Sequence, residues 1–378
     1  MSREGNGEKR PRIGSGFLTL VLCAALIALV LTAGCEGPKA SPLPARKLRI
    51  GLMITPQGLN DQGFNDQAHD GIRAAEKKYG IEPVIIEPAT MKDPEASLRF
   101  FAAQPFDAII VVGMAFQNAI QKISAEHPHL KFFAVDSDVD EGNIKGIAFR
   151  EYEGSFLCGY LAARFSKNHK IGFIGGHNIA VIDRFRRGYH AGAAFAASET
   201  QVIERFVARD FSGFNKPETA KNIALDMYAQ GCDVIYHAAG ASGLGVISAA
   251  IETHKNVIGV DRNQDSMAPG LVLTSMLKRV DLVVEDIVKN ITQPDAGQKG
   301  VKRTYGISDG AIALTEFQFS SQILGETLVN ELGDLSRQIT AGRLDTDPGT
   351  EAYPLPDGAL PEIASPTPAG DVASRAEN

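Results

Sequence analysis

The polar residues of this chain gather where short apolar runs stop. After LRIGLMIT comes Thr55-Pro-Gln-Gly-Leu-Asn-Asp-Gln-Gly-Phe-Asn-Asp66, with Asn60, Asp61, Phe64 and Asn65 at the start of an amphipathic stretch. Asn and Asp cap helix N-termini, so capping accounts for part of this loop. It does not account for Phe64, an aromatic in a polar loop. A ring there suits stacking on a planar ligand, with Asn and Asp hydrogen-bonding the ligand's edge. Four further polar clusters follow apolar runs: Asp136-Ser-Asp138, Gly176-His-Asn178 with Asp183 and Phe185, Asp210–Pro217 with Phe214, and Asp261-Arg-Asn-Gln264. His237–Gly245, which includes Gly240, opens another helix. Each alone is a turn. Their recurrence at successive strand ends points to one shared cleft.

The chemistry that these residues offer is binding. The glycines of Gly240–Gly245 lack the Lys-Ser/Thr ending of a phosphate loop, and no GxGxxG occurs. HExxH and paired CxxC motifs are absent, and the eight histidines are scattered without metal-ligand spacing. No nucleophile–base pair is legible around Asp61 or Asp261. The expectation is therefore no metal, no cofactor and no catalytic residue.

These loops need strands and helices to aim them. Apolar, β-branched runs at Leu48–Thr55, Pro83–Glu87, Ala108–Gly113, Phe132–Asp136 and Ile144–Phe149 alternate with amphipathic segments. A helix at Glu151–Ser166 is followed by strands at Lys170–Gly175, Val202–Ala208, Asp233–His237 and Asn256–Asp261. Continuous apolar runs suit strands covered on both faces, as parallel sheets require. The alternation predicts an α/β fold with two doubly wound parallel-sheet lobes and a hinge. Lobe 1 is expected over 47–150 plus about 279–303, and lobe 2 over 151–278 plus about 304–343. Ligands of open α/β sheets bind beyond the carboxyl ends of the strands, so two facing sheets enclose a ligand and close on it.

The two ends read differently. Phe17–Leu31 runs 15 residues without a charge after a basic segment, which suits a signal-peptide core better than a membrane span. LTAGC then resembles a bacterial lipobox, so 1–34 reads as a lipoprotein signal, Cys35 as the lipidated residue and 35–46 as a proline-bearing tether. The leader carries net +2 of the chain's −7, which leaves the remainder acidic. Without basic clusters, nucleic-acid binding is excluded. Cys158 and Cys232 are expected as small buried residues. The segment 344–378, rich in proline and without hydrophobic period, reads as a disordered tail.

Six segments carry a resemblance: GLNDQGFNDQAHDGI, FREYEGSFLCGYLA, VIDRFRRGYHAGA, GCDVIYHAAGASGLGV, VIGVDRNQ and VLTSMLKRVD. In this order, from Leu48 to Phe319, they resemble the basic membrane protein family of lipoproteins, which includes purine nucleoside receptors of ABC importers. The resemblance implies a lipid-anchored, extracytoplasmic binding protein with a nucleoside ligand and an ABC permease as partner. It implies that Phe64 stacks on the base and that Phe214 or Phe185 closes on its other face. Asp261 is implied to bind the ribose hydroxyls and Lys278 to be the cleft lysine, with Asp136 and Gly240 lining the pocket. One departure is Thr55, where the family often carries an aspartate that reads the purine edge. Another is Gly63 in place of a serine. Two other classes share parts of this pattern, a ligand-sensing lipoprotein for another polar solute and a nucleoside-processing enzyme.

Overall fold

The computed structural model describes residues 46–88, 93–293, 301, 303–349, 352–356 and 358–361. The leader, Cys35 and the end of the tail lie outside the described residues. Strand and helix alternate as follows: β1 (Arg49–Met53), α1 (Phe64–Tyr79), β2 (Glu82–Ile86), α2 (Pro94–Ala102), β3 (Ala108–Val112), α3 (Gln117–Glu126), β4 (Lys131–Val135) and β5 (Ile144–Phe149). Then come α4 (Glu151–Phe165), β6 (Lys170–Gly175), α5 (Ala180–Ala196), β7 (Gln201–Phe206), α6 (Pro217–Ala229), β8 (Val234–Ala238), α7 (Gly243–Thr253) and β9 (Asn256–Asp261). The chain ends with β10 (Val272–Lys278), α8 (Val280–Thr292), β11 (Thr304–Tyr305), β12 (Ile312–Leu314) and α9 (Ser321–Thr340).

Two sheets result, ordered β11-β5-β4-β3-β1-β2 and β12-β10-β9-β8-β6-β7. All pairings are parallel except β12, which runs antiparallel to β10 from Met276 opposite Leu314. The central strand β3, AIIVV, is buried at every residue because helices cover both faces of its sheet. One late extended stretch, Thr304–Leu314, divides between the lobes. Thr304–Tyr305 pairs with β5 in the first sheet, and Ile312–Leu314 joins the second. Among the described residues the chain crosses between sheets after β5, after β10, and between β11 and β12.

The crossings are tied to one another. Arg150 N–H donates to the Tyr305 carbonyl at 2.8 Å, and Arg279 N–H to the Ala311 carbonyl at 2.8 Å. The Glu153 carboxylate accepts from Ile307 N–H at 2.6 Å and pairs with the Arg150 guanidinium at 2.5 Å.

The end of the chain departs from the expectation of a tail without structure from residue 344. Its described residues strap onto the second lobe. Arg187 pairs with Asp347 at 2.9 Å, and Tyr353 stacks on His190 with ring centroids 4.9 Å apart. Phe206 N–H donates to the buried Ala359 carbonyl at 2.8 Å, which covers the edge strand β7. Proline-rich composition opposes a core of its own but leaves such edge pairing open.

Candidate functional site

Between the carboxyl ends of the two sheets lies a cavity of about 730 Å³, counting its open mouth, lined from both lobes. On the first lobe, Thr55, Asp61, Phe64 and Asp136 reach it; on the second, Phe185, Phe214, Gly240, Asp261 and Lys278 do. Two residues singled out in the sequence do not line it. Asn60 is exposed. Asn65 is buried under the loop, where its side-chain oxygen accepts from Thr55 N–H at 3.1 Å and its amide donates to the Gly58 carbonyl at 2.9 Å.

Asp61 reaches the cavity while capping α1. Its carboxylate accepts backbone N–H groups of Gly63 and Asn65, each at 2.9 Å, and of Asp66 at 3.2 Å. Burial nevertheless raises its pKa above the usual carboxylate value. The capped turn fixes Phe64 as the first residue of α1, half-buried in the cleft.

Asp136 and Asp261 hold equivalent places. Each lies at the carboxyl end of the fourth strand from the far edge of its sheet, β4 or β9. Both adopt left-handed backbone, with φ of 61° and 66°, and both are buried. Burial, opposed by Lys278 and reinforced by Asp61 and Asp136, pushes the Asp261 carboxyl up to about 7.

Lys278, at the end of β10, stands between the lobes. Its ammonium lies 2.7 Å from Asp136 and 2.9 Å from Glu151, the first residue of α4. Glu151 is fully buried and also pairs with Arg184 at 2.6 Å. Burial works against the lysine's charge, but Asp136, Glu151 and Asp261 outweigh it and raise its pKa. The ammonium also lies over the rings of Phe149, Phe64 and Phe185, at 4.9, 5.2 and 5.4 Å from their centroids.

Phe214 is half-buried on the second lobe, against Gly240. Gly240 has φ of +53°, and a Cβ there would sit 3.3 Å from the Phe214 carbonyl oxygen, so a side chain is disfavoured twice. The lobes also touch directly. Gln67 donates to the Asp261 carbonyl, Gln264 to the Gln62 carbonyl and Gln57 to the Phe211 carbonyl, each at 3.1 Å.

Sequence reasoning missed Glu151 and Arg184, whose charges are indistinguishable from surface charges until their partners are known. It also missed Gln57, Met114 and Phe211, which line the cavity. It passed over GISDG at Gly306–Gly310, which has nucleophile-elbow spacing. Ser308 lies in a single 3₁₀ turn between β11 and β12, where its hydroxyl accepts from Arg150 at 3.1 Å. That is a hinge contact, away from the residues lining the cavity.

Fold and cleft together define a two-lobed solute-binding protein. The chain belongs to the Bmp family, ABC transporter substrate-binding proteins of PnrA-like type, whose sequence profile matches residues 48–344. It is 29% identical over 343 residues to basic membrane protein A1 of Borrelia garinii subsp. bavariensis, covering 89% of this chain and 97% of that one. It is 30% identical over 328 residues to the ABC transporter nucleoside-binding protein BmpA of Lactococcus lactis subsp. cremoris, covering 80% and 92%. In structure it is similar to an ABC transporter system solute-binding protein from Aeropyrum pernix K1, with a TM-score of 0.70 at 23% identity, covering 79% and 92%. The family expected from the six motifs is thus the family found. Among the described residues, no helix is long and apolar enough to cross a membrane.

Proposed function

We propose that this chain is the lipid-anchored, extracytoplasmic binding component of an ABC importer, and that its cleft holds a purine nucleoside. The observation that carries this reading is the pairing, in one cavity, of Phe64 on one lobe with buried Asp261 and Lys278 on the other. A planar base stacks on Phe64, with Phe214, half-buried where Phe185 is buried, closing on its other face. An ionised Asp261 accepts both hydroxyls of a vicinal diol, and Lys278 donates beside it. The named nucleoside-binding relative supports the same ligand class.

The three glutamine bonds across the cleft support closure of the lobes on the ligand, since opening the cleft would break them. Cys35, after the charge-free leader core, anchors the chain to the membrane, and an ABC permease receives the ligand. Mass spectrometry of small molecules released by denaturing the purified chain tests the ligand class. Recovery of a nucleoside supports the reading, and recovery of an unrelated solute alone opposes it.

A further inference from the structure

The cavity has two polar ends of different character. The buried end carries charge, in Asp136, Asp261 and Lys278. At the half-buried end stand Thr55 and Gln57, both neutral. Phe64 lies between them. Its ring is 5.2 Å from the Lys278 ammonium, and a Cβ on Gly113 would meet both Thr55, at 2.7 Å, and the Phe64 ring, at 3.7 Å. A ligand with its diol at Asp261 and its base on Phe64 therefore turns the far edge of the base towards Thr55 and Gln57.

Of these two, Thr55 is already committed. Its hydroxyl donates to the Asn65 side-chain oxygen at 2.9 Å, within the loop. Gln57 is committed on one side only. Its Nε2 donates across the cleft to the Phe211 carbonyl at 3.1 Å. A carbonyl only accepts, so this bond fixes the orientation of the amide and turns Oε1 away from Phe211. Oε1 has no partner among the described residues.

We infer that Gln57 is a specificity-determining residue, whose Oε1 accepts an N–H from the edge of the bound heterocycle while its Nε2 ties the cleft mouth to Phe211. The inference rests on the nucleoside reading above and adds to it the group that reads the base. A neutral amide oxygen serves ring N–H and exocyclic amino groups alike, so it selects bases that carry either over a base that carries neither. One such bond favours the donor-bearing ligand by about 3- to 10-fold.

The test is calorimetric titration of the full-length chain with adenosine, inosine and unsubstituted purine riboside, whose base carries no N–H. The wild type is expected to prefer adenosine and inosine over purine riboside by that factor. Gln57→Met, near in shape but without hydrogen bonds, should bring the three affinities together. Gln57→Glu loses the donor to Phe211 but keeps an acceptor, now charged, so it should retain or widen the preference for adenosine and inosine. An unaltered ratio in Gln57→Met, or no preference in the wild type, overturns this inference and leaves the nucleoside reading standing. A wild type that binds none of the three overturns both.

Discussion

The Lys278 ammonium lies 2.7 Å from the Asp136 carboxylate, although the two residues end strands in different sheets. The same ammonium lies 2.9 Å from Glu151 on its own lobe. Lys278 is thus held to lobe 2 by one buried carboxylate and meets lobe 1 through another. Glu151→Ala removes the partner of both Lys278 and Arg184. It should cost about 3–5 kcal/mol of stability, as breaking a buried pair does. Asp136→Asn leaves the Lys278–Glu151 pair in place and should cost less. Urea unfolding of both variants gives the order, and equal costs would deny Glu151 the anchoring role.

Asp261 makes binding and stability respond to pH in opposite directions. Its carboxyl is raised by burial to about 7 from 3.8, so the native state keeps a proton that the unfolded chain has released. Its contribution to stability therefore falls as pH rises from about 4 to 7 and is flat above. Diol donors favour the ionised form, so nucleoside affinity should climb from pH 5 to 7, with proton release on binding. Titrations in buffers of different ionisation enthalpy detect that proton. Asp261→Asn should abolish the release, and a release that persists in the variant assigns it to another group.

Closure has a direct readout in solution. Arg262 of lobe 2 pairs with Asp66 and Asp70 of lobe 1 at 3.3 and 3.4 Å, alongside the three glutamine bonds. On the closure proposed above, these contacts form only when the lobes meet. X-ray scattering should give a smaller radius of gyration with saturating nucleoside than without. Superimposable curves would mean that the lobes do not move.

The anchor is tested by Cys35→Ala. The variant should lose acyl labelling and leave the membrane fraction or remain unprocessed. Membrane retention with labelling unchanged would remove Cys35 from the account.

Much of this was legible in the sequence because central strands covered on both faces, such as AIIVV of β3, leave no polar alternation. What escaped notice was short or interrupted. β11 pairs through two residues, too few to set it apart from β12 within the extended stretch at Thr304–Leu314. Helix α9 buries Leu324, Leu328, Leu332, Leu335 and Ile339, but Gly325 breaks it with φ of 77°. At the site, Phe64 stood out as an aromatic in a polar loop, and Asp261 through the recurrence of polar clusters at strand ends. Glu151 did not, because a buried charge betrays itself only through partners far along the chain. Asn65 shared the conspicuous loop with Phe64, yet its hydrogen bonds all turn back into that loop.

The central claim is that Phe64 and Asp261 hold different parts of one nucleoside, and calorimetry on the two variants tests it most directly. Phe64→Ala should weaken purine nucleosides and free purine bases alike, by about 1–3 kcal/mol for a lost stacking contact. Asp261→Asn should weaken the nucleosides by about 1.5–3 kcal/mol, as a charged acceptor is lost. The free bases, lacking a diol, should hardly change. Equal losses for bases and nucleosides in Asp261→Asn would contradict the account.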